Sequence, residues 1–232
     1  MFRHRLLSFA LLALLATASA ASAQVIITLQ NATAGFSQGG FPVSAAIDGS
    51  IDNGTGWAHD GAHFDDAAVF ETTADAIFTS YQFTMTMVFS GDHMIGRFRV
   101  STTTDDRSTF ADGQINGGDV TANWTILTPD SLVSSGGATM TLLNDSSVLV
   151  GGLLPGIDTY TFSANSSPTA ITGFRLEVLT DSSLAANGPG RASNGNFVLT
   201  EFAVVGIPEP STYVLLACGL AVIGFAARRR RS

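Results

Sequence analysis

Lysine is absent from the whole chain, and a single cysteine, Cys218, stands near its C-terminal end. One thiol closes no intramolecular disulfide, so stability must come from packing and from any bound ion. All eleven basic residues are arginines, and six of them crowd the two ends: Arg3, Arg5 and Arg228 to Arg231. Positions 24–206 keep five arginines against eighteen carboxylates, a formal charge of −13. Such a surface repels nucleic acid and anionic lipid, and nucleic acid is excluded as a partner. Helical periodicity is also missing between the ends, which excludes helix bundles and α/β folds.

The ends carry what the middle lacks. Arg3 and Arg5 precede an apolar stretch, Leu6 to Ala16, and Ala21-Ser22-Ala23 is a small-residue cleavage site. Residues 1–23 read as a secretory signal peptide, with Ala18-Ser19-Ala20 as an alternative cut. At the other end Pro208-Glu209-Pro210 is followed by an apolar run to Ala227 and then Arg228-Arg229-Arg230-Arg231. The prolines stop any incoming strand, because they fix φ and lack an N–H. A membrane span needs about 20 apolar residues and at least roughly 17; 211–227 reaches that lower limit. A buried core helix is the other reading of this run, and four terminal arginines oppose it. Arginine excess marks the cytoplasmic side, so everything before Pro208 belongs outside the cytoplasm.

This tripartite tail resembles the PEP-CTERM sorting signal of Gram-negative bacteria. The resemblance covers residues 207–232: the motif 208–210, a hydrophobic helix 211–227 and the arginine cluster 228–231. It implies an exosortase-type processing enzyme as partner, cleavage near the motif, and transient anchoring in the cytoplasmic membrane. Delivery to the periplasm, outer surface or extracellular matrix would follow.

The remaining 24–206 is one domain by length. Tyr81, Phe83, Met85, Met87 and Phe89 alternate with Gln82, Thr84 and Thr86, the period-two pattern of a half-buried strand. Strands are expected too at 97–102, 139–143, 147–150, 159–163, 173–179 and 197–205. Turn chemistry such as Asn116-Gly117-Gly118 and Asn187-Gly188-Pro189-Gly190 separates them. The expected fold is all-β, a jelly-roll β-sandwich.

Phe41-Pro42-Val43, Ala46-Ile47-Asp48-Gly49 and Gly56-Trp57 resemble the opening of galactose-binding-like domains, which include the discoidin domains and several carbohydrate-binding modules. Gly195 to Phe202 resembles their final strand with its acidic residue, Glu201. In such modules a structural calcium joins the first loop to the last strand. Independently of the resemblance, Glu201 lies in a stretch apolar on both faces, where a carboxylate needs a partner or a cation. Asp48, Asp52, Thr55 and Glu201 form the expected calcium set. The alternatives are that Asp48 only shapes a turn with Gly49 and that Glu201 pairs with Arg97, Arg99 or Arg175. Ser50 stands where many relatives place an acid.

Other motifs suggest chemistry. Gly35-Phe36-Ser37-Gln38-Gly39 has the spacing of a serine nucleophile, but that motif needs a strand-to-helix turn. His59, His63 and nearby Asp65 could bind zinc if helical; Gly61 argues for a solvated loop. Arg191, His63 and Trp57 are candidate ligand contacts, although Trp57 after Gly56 also reads as core. Arg97 and Arg99 share a face and suit acids such as Glu177. The expected function is an exported, surface- or matrix-directed, non-catalytic protein that binds extracellular polysaccharide or acts in the matrix or biofilm. An adhesion protein working through protein–protein contacts is the alternative, and a metal-dependent hydrolase a further one.

Overall fold

The structure, a computed structural model, describes residues 24–60, 64–89, 91–209 and 219–220. The signal peptide, His63, Pro210, most of the apolar tail and Arg228 to Arg231 lie outside the described residues. Gln24–Pro208 is one compact unit with its own core, so it can be produced and studied by itself. Among the described residues no helix is long and apolar enough to cross a membrane.

The strands in chain order are β1 (Val25–Ile27), β2 (Leu29–Ala34), β3 (Trp57–His59), β4 (Asp66–Ala76), β5 (Ser80–Met87), β6 (Arg97–Thr103), β7 (Thr125–Ile126), β8 (Pro129–Ser134), β9 (Ala138–Leu142), β10 (Val148–Gly152), β11 (Asp158–Asn165), β12 (Ile171–Val178), β13 (Phe197–Leu199) and β14 (Glu201–Ile207). One sheet runs β1-β14-β5-β11-β8. The other runs β2-β4-β12-β6-β10-β9, with β7 on β6, and β13 pairs with β3 alone. All the pairings are antiparallel. The domain is therefore the expected all-β sandwich.

The alternation explains the layers. On β5, Tyr81, Phe83, Met85 and Met87 are buried while Ser80, Gln82, Thr84 and Thr86 stay half-exposed. On the other sheet Phe174, Leu176 and Val178 point inward. The two inner faces meet as rings: Phe83 stacks on Phe162 at 5.0 Å and meets the edge of Phe174 at 5.6 Å. Phe70 stacks on Phe202 at 4.9 Å. Each such buried ring contributes on the order of 2–3 kcal/mol.

One strand expectation is corrected. The single strand expected at 197–205 is two strands, β13 and β14, in different sheets. Thr200 breaks it: its N–H donates to the Thr86 carbonyl, and its hydroxyl accepts from the Val88 N–H. The break changes the parity of Glu201. Phe202 and Val204 face the core, whereas Glu201 lies half-buried on the outer side beside Thr86.

Candidate functional site

The Asp48–Gly49 turn and the start of β14 meet, as the expected ion site requires. The Gly49 N–H donates to Glu201 Oε2 at 3.2 Å. Asp48 Oδ1 accepts from the Ser50 N–H at 2.8 Å, and Gly49 takes φ +77°, so Asp48 does shape the turn. Burial pushes the Glu201 carboxyl up to about 7; the Asp48 charge adds to the rise and the Gly49 N–H opposes it. No described arginine relieves this pair. Arg97 bridges Asp145 and Asp181, and Arg99 and Arg175 both engage Glu177. Two adjoining carboxylates without a counter-cation are a setting that suits a hard cation. The Thr55 hydroxyl donates to the Asp52 carbonyl at 3.5 Å within the same loop. Asp52 is exposed, and its carbonyl also accepts from the Thr55 N–H. Among the described residues no group of three His, Cys, Asp or Glu side chains could hold a metal, so any ion would depend on these neutral oxygens and water.

The other sequence candidates are placed differently. Trp57 is fully buried, donates from Nε1 to the Phe36 carbonyl at 2.9 Å and meets Phe197 edge-on at 5.1 Å. It is core and cannot stack on a sugar. Arg191 is 9 % exposed, and its guanidinium donates to the Gly152 and Leu153 carbonyls at 2.9 and 2.8 Å. It ties a loop down and is not a free ligand contact. Asp65 accepts from the N–H and hydroxyl of Thr180, at 2.7 Å each.

His59 and Asp66 form a buried pair, and Ser37 of the Gly-x-Ser-x-Gly stretch is also buried. His59 Nε2 is 3.9 Å from Asp66 Oδ2, and the Phe36 N–H donates to the same oxygen. Among the described residues Ser37 Oγ and both His59 ring nitrogens have no hydrogen-bond partner, so no described base is bonded to the serine. His59 sits among Phe36, Phe64 and Phe197. Burial pulls its pKa below the ordinary value of 6.5, and burial lifts the Asp66 carboxyl to about 6. The signs are opposite. His59 contributes stability that is present above pH 6.5 and lost as pH falls through its folded pKa. Asp66 contributes stability that is present below pH 3.8 and lost as pH rises through about 6. His59→Phe should raise stability by about 1–2 kcal/mol at neutral pH by removing two unpaired buried nitrogens, with a larger gain at pH 5. Thermal melts at pH 5 and pH 8 check this; a lower melting temperature in the variant at both would contradict it.

A cleft of about 650 Å³ opens where β6, β7, β11 and β12 end. Its walls are Thr102 to Asp105, Asn123, Thr125 to Leu127, Asn165 to Ser167, Thr169 and Ile171. Nine of its lining residues are Thr, Ser or Asn, but Thr102 and Thr103 are buried; of the aliphatic residues Ile126 is exposed while Leu127 and Ile171 are buried, and Asp105 is the one charged residue among the described residues lining it. The shape is held internally. Asp105 Oδ2 accepts from the N–H and Nδ2 of Asn123, at 2.8 Å each, and Thr172 Oγ1 donates to the Thr103 and Asp105 carbonyls. The Thr104 and Thr125 hydroxyls bond no described residue, and both side chains are exposed. The sequence reading missed this cleft; the run Thr102-Thr103-Thr104-Asp105 was its only local signal.

Comparison with known proteins bears on the two parts separately. The model of the PEP-CTERM protein-sorting motif matches residues 206–231, and this motif marks an exported protein. No curated protein matches the chain. Among solved structures, the chain is similar to the family 32 carbohydrate-binding module of Clostridium perfringens NanJ, solved with galactose. Identity is 15 %, 79 % of this chain and 99 % of that one are covered, and the TM-score is 0.44. It is also similar to the F5/8 type C domain of a Bacteroides fragilis protein, at 13 % identity, 80 % and 97 % coverage and a TM-score of 0.47. The family 32 module of Streptococcus pneumoniae EndoD gives 12 %, 78 %, 98 % and 0.41.

Proposed function

We propose that this is an exported, non-catalytic protein whose cleft binds a neutral glycan. The cleft itself carries the reading. Its volume lies in the range of small-ligand sites, roughly 300–1,000 Å³. The exposed Thr104 and Thr125 hydroxyls can exchange hydrogen bonds with sugar hydroxyls, and the exposed Ile126 can face the C–H side of a ring. With Asp105 present and no cation among the described residues of the lining, acidic sugars are repelled. The sorting motif supports processing by an exosortase-type enzyme, with the apolar tail as a temporary membrane anchor and the outer surface or matrix as destination. The Asp48–Glu201 junction supports a structural calcium, held by those two carboxylates with Asp52 and Thr55 oxygens. Such an ion would tie the first loop to the last strand and neutralise their repulsion.

The test is a panel of neutral and acidic polysaccharides offered to the Gln24–Pro208 unit with calcium present. The expected result is retention on at least one neutral polymer and about a tenfold loss of affinity in Thr104→Arg. Retention on none would overturn the proposal. A second reading, adhesion through protein contacts, has one observation in its favour. Leu153, Leu154 and Ile157 are 67 %, 40 % and 58 % exposed in one loop, at the end of β11 away from the cleft.

A further inference from the structure

The two outer faces of the sandwich differ in charge. The face of the β6-containing sheet carries Arg97, Arg99, Arg175 and Glu177 in ion pairs. The outer face of the β5-containing sheet is nearly bare of charge, in a domain with a formal charge of −13. Strands β1 and β5 contain no charged residue, and Asp158 of β11 is buried. Among the described residues of its strands only Glu201, at one end, and Asp130, on the β8 edge, interrupt it. Asp130 is already bonded by Ser163 Oγ and by Asn165 Nδ2.

The register fills the β5–β11 strip of this face with hydroxyls, flanked by Val133 beside Thr161 and by Ala203 beside Thr84. Thr84 lies opposite Thr161, Thr86 opposite Thr159 and Gln82 opposite Ser163. Their side chains stay half-exposed. Along each strand the spacing is about 6.8 Å and between strands about 4.8 Å. The eight residues of β5 make the face about 27 Å long. It joins the cleft directly, since Asn165 lines the cleft and pairs with Ser80 at the end of the face.

We infer that the binding site extends from the cleft along the β5–β11 face, and that this face takes a neutral polysaccharide chain running parallel to the strands. The inference rests on the glycan reading of the cleft. A neutral face exchanges water for ligand without stripping ions of their hydration, and hydroxyls suit a polyhydroxylated chain. The continuity through Asn165 sets the occupant: a chain held by one unit in the cleft has its next units over Ser163, Thr161 and Thr84. The protein is then a binder of chain interiors, whose affinity grows with length.

Calorimetric titration of the Gln24–Pro208 unit with neutral β-1,4-linked gluco-, galacto- and manno-oligosaccharides, of two and of six units, tests this. In at least one series the six-unit ligand should bind about tenfold tighter than the two-unit one, a difference of about 1.4 kcal/mol. Thr84→Arg and Thr161→Arg should each reduce six-unit affinity to the two-unit value and leave two-unit binding unchanged. Thr161→Val, which keeps the shape and drops the hydroxyl, guards against misfolding and should lose part of the gain at an unchanged melting temperature. Equal affinity at both lengths, or six-unit binding indifferent to both arginines, overturns the extended face and leaves the cleft standing. No binding in any series overturns both. Self-association of the unit that Thr84→Arg abolishes also overturns it, by showing a second copy on the face.

Discussion

Trp57→Ala is expected to lower the stability of the Gln24–Pro208 unit by about 3–5 kcal/mol. The indole is wholly enclosed, so truncation removes its buried area and leaves a cavity among Phe197 and its neighbours. It also leaves the Phe36 carbonyl without its 2.9 Å donor, which adds an unsatisfied polar group. The surroundings have little room to collapse: a Cβ on the preceding Gly56 would stand 2.5 Å from the Leu199 carbonyl oxygen. At about 2–4 °C per kcal/mol for a chain of this size, the melting temperature should fall by about 10 °C. Glycan binding at low temperature should decline only as far as the folded fraction does. Urea unfolding checks the first statement, and an unshifted midpoint would contradict it. Intact folding with lost binding would mean that the indole is a ligand platform after all.

The second large effect is expected from calcium. At a concentration about a hundredfold above its dissociation constant, the ion should stabilise the fold by about 2.7 kcal/mol, or about 5–10 °C in melting temperature. Chelation should reverse it. Glu201→Gln should abolish the response, because the amide keeps an oxygen for the Gly49 N–H and loses the charge that the ion meets. Without calcium the same variant should be the more stable protein above pH 7. There the native carboxylate is ionised, half-buried and repelled by Asp48. Its folded pKa is raised, so its contribution is present below pH 4.5 and lost as pH rises through about 7. Identical melting curves with chelator and with calcium would remove the ion from the account.

Much of the sandwich could be read from the chain, for a physical reason. β5 and β11 bury one face only, so their residues alternate and the period shows. β4 escaped, because Ala68 to Thr72 is buried continuously and a strand covered on both sides shows no alternation. β1 has three residues, too few for any period. The break at Thr200 depends on a bond to Thr86, more than a hundred positions away, and no local pattern announces it. The Asp48–Glu201 approach was foreseen through resemblance, and through the cost of a carboxylate among apolar residues. The single strand expected over 197–205 misplaced Glu201, since β13 and β14 lie in different sheets.

The ligand contacts were the least legible. Arg191 follows Gly-Pro-Gly and reads as an exposed loop tip. In the fold that loop is packed so closely that a Cβ on Gly190 would clash with the Asn196 carbonyl oxygen, and the arginine folds inward. The cleft is built from three stretches of chain, mostly ordinary Thr, Ser and Asn residues. Their chemistry becomes a site only when the strand ends gather, and no spacing along the chain encodes that.

Amide chemical shifts of the Gln24–Pro208 unit, followed during titration with the neutral polysaccharide it retains, test the central claim most directly. The account predicts shifts at Thr102 to Asp105, Asn123 to Leu127 and Asn165 to Thr169, spreading to Thr84 and Thr161 with longer chains. Shifts confined to the opposite end, around Asp48, Leu153 and Arg191, would contradict it.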